Sequence, residues 1–452
     1  MRKRIIWFCG TEYVAENPES LVWLRDEMGL TTIMPESPIC HTSGFAATPE
    51  VAARGPFEDW RSRADRWPKA ADGIYPPVAG VIGGFNDAPL RRVLEAAERA
   101  GIEVWGHIGL WSYGGDVYPE WAMRDIDGSE LDHRYGRWGI GLCPSKEAVN
   151  AWVEEGLLDV IDRYGLGGFC VDHARYPQPA NVHALAACGC ADCREAAEAN
   201  GFDVDALIGA VRTARGVLEG LDEARVKRAE ASGGSGEVIL DALGMDGSAL
   251  MQWFRCRAAL LAAPMARFRA AVQAVQPELV FGSDIFPPSV ALLGGHDVRR
   301  WEEATDFITG GTSAGGVVGW ATGAVYAASS WVRALRALNP ELDEARLCRV
   351  ARLFFALDDV PWPDSADALE ESDAIEAYYR RELGRLKLLS RGRVPLYPPI
   401  AGGGDPALVR ALANAVAESG CHGAMVTLDP SNRESIGALG EELGRVQASD
   451  LV

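Results

Sequence analysis

Short β-rich apolar runs alternate with long amphipathic stretches along the 452-residue chain. That alternation is the signature of parallel βα units. Eight runs stand out: RIIWFC, TTIMPES, EVWGHIGLW, GGFCVDHARY, LVFGSDIF, DFITGG, VPLYPPI and GAMVTLD. Helical periodicity fills the intervals at 18–28, 88–100, 146–164 and 249–276, and again at 320–337, 341–356, 372–390, 405–419 and 432–447, with Gly29 and Gly101 as C-terminal stops. Eight parallel strands in a chain of this length predict an α/β protein, a single TIM (β/α)8 barrel over residues 1–452. The surplus length falls after strands two, three and four, so enlarged C-terminal loops are expected. A helical, cysteine-containing subdomain is expected as an insertion over 180–250, with ASGGSGE as a local linker. The rival, a doubly wound open sheet, lacks its nucleotide signature: Cys9-Gly10-Thr11-Glu12 follows the first strand, and no G-x-x-x-x-G-K-[ST] occurs.

Charge narrows the partners. Lys plus Arg 44 against Asp plus Glu 64 gives 44 − 64 = −20, which repels nucleic-acid phosphates and anionic lipid. No stretch approaches the roughly 18 apolar residues of a membrane span. The opening MRKRIIWFCG resembles the n-region of a signal peptide, but its apolar run is too short, ending at Gly10-Thr11-Glu12, and reads as a strand. A soluble, cytoplasmic protein is expected. Ten cysteines are too sparse for a disulfide scaffold, yet Cys188, Cys190 and Cys193 crowd together. C-x-C-x2-C offers three soft ligands, and Cys256 or His183 would complete a tetrahedral structural zinc site. The plainer reading is a set of reduced thiols in an insertion. Four protein ligands would leave no open position, so such a metal would brace rather than catalyse.

In a TIM barrel chemistry sits at the C-terminal strand ends. The polar residues there are Glu12, Glu36, His107, Asp172 with His173, Asp284 and Asp429. A ring of acids suits glycoside hydrolysis, where one carboxyl protonates the leaving oxygen and another attacks or activates water. It equally suits a divalent metal, while some of these acids could merely accept backbone N–H bonds. Asp172 follows Gly-Phe-Cys-Val, a run buried on both faces, so it is the first residue free to enter the cavity. Arg175 beside it would favour its ionised form. Asp284 is the preferred proton donor, with Glu12 in reserve. Asp306 opens strand six and belongs at the barrel bottom. Sugar rings stack on aromatic faces, and the loops carry Trp60, Trp67, Tyr75, Trp111, Tyr113, Tyr118, Trp121, Tyr135, Trp138 and Tyr176. Several of these would simply close long loops. Trp111 and Tyr113 directly follow strand three and are expected to face the cavity. The substrate contacts expected are His107, Trp111, Tyr113, His173, Arg175, Tyr176 and Glu36.

Residues 103–203 string together EVWGHIGLW, Tyr118-Pro119-Glu120-Trp121 with Asp125, Asp127 and Gly128, then LCPS, RYGLGGFCVDHARYP and CGCADC. This order resembles the TIM-barrel family catalogued as hypothetical glycosyl hydrolase family 6, which is similar to α-L-fucosidase and α-amylase-like barrels. The resemblance implies a glycosidase-type barrel whose strand-four aspartate is the nucleophile, here Asp172. One departure is Gly167-Gly168-Phe169, where relatives tend to carry an Asp before Gly-Phe. The expected function is a glycoside hydrolase acting on an oligosaccharide or small glycoside, without a catalytic cofactor. With Asp172 as nucleophile and Asp284 as acid/base, retention is expected, the carboxyls about 5–5.5 Å apart. Two alternatives stand beside it. One is a metal-dependent hydrolase or lyase using His107, Asp172, His173 and Asp284. The other is a carbohydrate-binding barrel without turnover.

Overall fold

A computed structural model describes residues 3–36, 69–70, 73–74, 87–109, 111, 115, 119–131, 141–172, 174–177, 179–180, 182–310, 324–359, 363–370, 375–401, 405–427 and 429–444. The barrel strands are β1 Arg4–Gly10, β2 Thr32–Glu36, β3 Glu103–Gly109, β4 Gly168–Asp172, β5 Val280–Ile285, β6 Phe307–Gly310, β7 in two pieces, Leu396–Tyr397 and Pro399–Ala401, and β8 Gly423–Thr427. All pair in parallel. Counting the pieces separately gives nine strands. The first piece of β7 pairs with β6 and the second with β8, so the sheet closes on itself through this strand. The break falls at Pro398, which has no N–H to give to a ladder. A short antiparallel pair, Lys69–Ala70 with Gly73–Ile74, lies in the connection between β2 and β3.

Both faces of the strands are buried, which explains their near-continuous apolar runs. Residues of one parity, such as Ile5, Trp7, Ile33, Ile108, Phe169, Val171, Phe281 and Ile308, join the large core beneath the helices. The other parity points into the barrel. There Ile6, Met34, Trp105, Cys170, Phe307 and Tyr397 form a plug, packed against Phe8, Val280 and Met425. Trp105 and Phe307 stack with centroids 4.4 Å apart. Gly282 leaves room for that ring, since a Cβ there would lie 2.5 Å from Phe307. At the bottom Arg4 pairs with Glu103. Asp306 lies there too, accepting from the Phe281 N–H at 2.9 Å and from Gln273 at 2.8 Å, with Arg269 at 2.5 Å.

The helices fall close to the sequence expectation: Glu19–Met28, Ala88–Ala100, Glu147–Tyr164, Ala324–Leu338, Glu344–Phe354, Ile375–Leu389, Pro406–Ser419 and Arg433–Leu439. One addition is Thr11–Glu16, which starts directly after β1. Between β4 and β5 come Ala191–Ala199, Val204–Glu219, Glu223–Ala231, Glu237–Leu243 and the long return helix Gly247–Val275. Asp203, Asp222 and Asp246 cap three of these by accepting a backbone N–H. This insertion is tied to the loop after β3. There Asp125, 1% exposed, accepts two hydrogen bonds from Arg215 at 2.7 and 2.6 Å.

Candidate active site

Alternation along each strand places one more inward residue above the plug. On β3 it is His107, on β4 Asp172, on β5 Asp284, and on β6 Thr309 sits beside them. Asp172 and Asp284 stand side by side, near enough for the negative charge of one to act on the other. Burial holds the Asp284 carboxyl well above the usual carboxylate range, and the negative charge of Asp172 pushes it further, against the opposing pull of Arg175. Asp284 is therefore the proton-bearing partner. Its buried Oδ1 finds no hydrogen-bond partner among the described residues. His107 approaches from β3, its Nε2 4.0 Å from Asp172 Oδ2 and its ring 4.6 Å from that of Phe8. Beneath the pair, the Cys170 sulfur lies 3.3 Å from the Thr309 hydroxyl, and burial together with Asp284 raises its thiol, keeping it neutral.

The chain leaving β4 is fixed by a residue that the sequence did not single out. His296 is buried, accepts the Phe286 N–H at Nδ1 (3.0 Å) and faces the Ala174 carbonyl with Nε2 (2.9 Å). Because Nδ1 accepts an amide, Nε2 carries the proton and donates it. Burial lowers this imidazole to about 4, so it is neutral. It links the tail of β5 to the tail of β4, and its only sequence cue was the Gly294-Gly295 turn before it. Arg175 is also buried, donates to the Tyr176 carbonyl at 3.3 Å and lies 5.7 Å from the Phe286 ring.

Two other expected site residues, Trp111 and Tyr176, pack away from the cavity. Glu12 is exposed in the first turn of Thr11–Glu16, because the helix begins where a strand-end loop was expected. Trp111 is buried, and its indole donates to Asn150 at 3.0 Å beside Phe268, so it packs against helices instead of facing the cavity. Its φ of 45° marks the turn that sends it there. Tyr176 is fully buried under the guanidinium of Arg257, 4.4 Å away. Asp429 is exposed and accepts the Ser431 N–H at 2.9 Å, the plain turn role. Glu36 ends β2 opposite Gly10. Its side chain, with Tyr113, His173, Trp60, Trp67, Tyr75, Tyr118, Tyr135 and Trp138, lies outside the described residues.

The cysteine cluster has four members. Cys143, Cys188, Cys190 and Cys193 place their sulfurs within 4.8 Å of one another, all buried, a set that could hold a metal ion. Cys143 stands 3.3 Å from Cys190 and 3.4 Å from Cys193. The fourth member is thus Cys143, from the Leu-Cys-Pro segment before Glu147–Tyr164, and not Cys256 or His183. The Arg124 N–H points at the Cys188 sulfur (3.2 Å) and the Cys193 N–H at that of Cys190 (3.4 Å). Gly189 permits the close approach, since a Cβ there would lie 2.4 Å from the Ile126 Cα. The cluster joins the loop after β3 to the insertion after β4. Among the described residues it is the one group of three or more potential metal ligands.

No protein-family model and no curated protein matches the sequence, so the family suggested by residues 103–203 is not shown. Solved structures of similar shape include the cold-adapted β-galactosidase from Rahnella sp. R3, at TM-score 0.51 and 12% identity over 98% of this chain and 56% of that one. A catalytic mutant of the GH42 β-galactosidase Gan42B from G. stearothermophilus gives 0.50 and 11% over the same shares. α-L-Fucosidase isoenzyme 2 from Paenibacillus thiaminolyticus gives 0.48 and 13% over 100% and 50%. The chain spans between half and three-fifths of these proteins. The two galactosidases support the fold: a TIM barrel like those of glycoside hydrolases. Among the described residues no helix is long and apolar enough to cross a membrane.

Proposed function

We propose that the protein is a glycoside hydrolase that cleaves an oligosaccharide or small glycoside at the Asp172–Asp284 pair. The observation that carries this is a pair of facing carboxyls at the C-terminal ends of neighbouring strands, with burial and the charge of Asp172 holding the proton on Asp284. A neutral acid beside an ionised one is the division of labour that glycosidic cleavage needs. A retaining pair works with its carboxyls about 5–5.5 Å apart, and substrate entry makes the glycosidic oxygen the acceptor of the Asp284 proton. As the bond between C1 and that oxygen breaks, Asp284 protonates the departing alcohol and Asp172 attacks C1 from the other face. Water then displaces Asp172, giving its proton to the Asp284 carboxylate, with net retention. His107 and Arg175 orient the two carboxyls.

The four cysteines would hold a structural zinc ion, its tetrahedral position filled entirely by protein sulfur. It would brace the loops that frame the mouth and take no part in the chemistry. The decisive experiment is turnover on a panel of aryl glycosides, with the anomer of the first product read by NMR. Asp172→Asn should abolish turnover with the fold intact. Asp284→Asn should lower it by about two to four orders of magnitude on poor leaving groups and far less on activated aryl glycosides. Sugar binding without turnover across the panel would instead favour a carbohydrate-binding barrel.

A further inference from the structure

Arg257 stands on the return helix Gly247–Val275 and is 1% exposed. None of its three guanidinium nitrogens has a hydrogen-bond partner among the described residues. Its surroundings are aromatic, with Tyr176 at 4.4 Å and Trp253 and Phe254 each at 6.0 Å. Ring faces attract a cation but do not replace the hydrogen bonds and counter-charge that a buried guanidinium gives up on leaving water. Beside the Tyr176 hydroxyl, the groups near it that can carry negative charge are sulfurs. Cys188, Cys193, Cys256 and Arg257 wall one void of about 10 Å³, room for about one water.

Four neutral thiols would leave Arg257 a lone buried charge. Four thiolates around a divalent ion carry 4 × (−1) + 2 = −2, which supplies the missing counter-charge. The other nearby cations are already engaged: Lys146 pairs with Asp192 at 2.5 Å, and Arg194, which lines the same void, donates to the Gly189 and Ile126 carbonyls at 3.1 and 3.0 Å and lies 3.7 Å from Asp205. The N–H groups of Arg124 and Cys193 that address the sulfurs are neutral. We infer that Arg257 is the buried counter-charge of a divalent-metal tetrathiolate made by Cys143, Cys188, Cys190 and Cys193. This rests on the metal reading of the cluster. On loading, four sulfur–metal bonds form and the thiol protons leave to solvent, while Arg257 stays charged and touches no metal. It is a positioning residue.

The test uses the full chain, stripped and then reloaded with zinc alone, with affinity read by chelator competition. Cobalt substitution reports the tetrathiolate by its sulfur-to-metal absorption. Arg257→Met should weaken zinc binding about 10- to 100-fold, as other outer-shell changes do, while Arg257→Lys should stay within a few-fold of the parent. Stability should cross over. The metal-free Met variant should melt above the metal-free parent, since its lone charge is gone, and the zinc-loaded variant below the loaded parent. Arg257→Gln gives the same reading if the Met variant does not accumulate. Unchanged zinc affinity in Arg257→Met, or equal destabilisation with and without zinc, overturns the inference while leaving the metal site standing. A parent chain that takes up neither zinc nor cobalt overturns both.

Discussion

Replacing Asp284 by Asn separates its proton from its shape. The amide has nearly the same volume, so packing over Cys170 and Thr309 is preserved. What changes is the titration. The folded-state carboxyl lies above the about 3.9 of an unfolded aspartate. Between those two values the folded protein holds a proton that the unfolded chain has released, so parent stability is full below about pH 3.9 and falls as pH rises through the folded-state value. Each pH unit of that window costs about 1.4 kcal/mol. Asp284→Asn has no such loss. Urea unfolding followed by tryptophan fluorescence at pH 5, 6, 7 and 8 should show the variant gaining on the parent by about 1.4 kcal/mol per unit, then levelling off once the parent carboxyl ionises. The same variant should be the poorer catalyst throughout. A stability difference that stays constant with pH, or one that favours the parent more at high pH, would refute a proton-bearing Asp284.

Three further outcomes follow from the contacts. Arg215→Met leaves the Asp125 carboxylate buried without its guanidinium partner and should cost roughly 3–5 kcal/mol in urea unfolding, the scale for breaking a buried pair. His296 has a folded-state value of about 4, below its usual 6.5, so it contributes stability that is present above pH 6.5 and lost as pH falls toward 4. His296→Phe should remove that acid-side slope of about 1.4 kcal/mol per unit, opposite in sign to the Asp284 effect. We also propose that residues 180–250 are an appended subdomain: deleting 222–238 should leave a soluble barrel by circular dichroism, with a lower melting temperature because Val226 and Ala229 are buried and Glu230 pairs with Arg349 at 2.7 Å.

The barrel was legible because parallel strands buried on two faces write uninterrupted apolar runs, and the eight runs map onto β1 to β8. Asp172 was legible for the same reason, as the first polar residue after a doubly buried run, and Asp284 by its place at the end of the fifth run. Contacts made across long separations were not. Cys143 lies 45 residues from Cys188, and its Leu-Cys-Pro setting carries no ligand spacing. Trp111 and Tyr176 read as cavity residues because they closely follow strands. A left-handed turn at the first and the buried guanidinium over the second decide otherwise. At Glu12 only the boundary was illegible, a helix starting where a loop was expected.

The strand broken at Pro398 gives the barrel wall an uneven strength. Its first piece holds β6 through two paired positions and its second holds β8 through three, whereas β3 and β4 share five and β4 and β5 four. β2 and β3 also share only two, so the cylinder has two thinly stitched lines and opens along them. Amides of 396–401 should exchange with heavy water ahead of those of 169–171. Asp172 and Asp284 stand on the well-laced arc, so the wall can breathe at its seams while the strand ends that carry the two carboxyls stay in register.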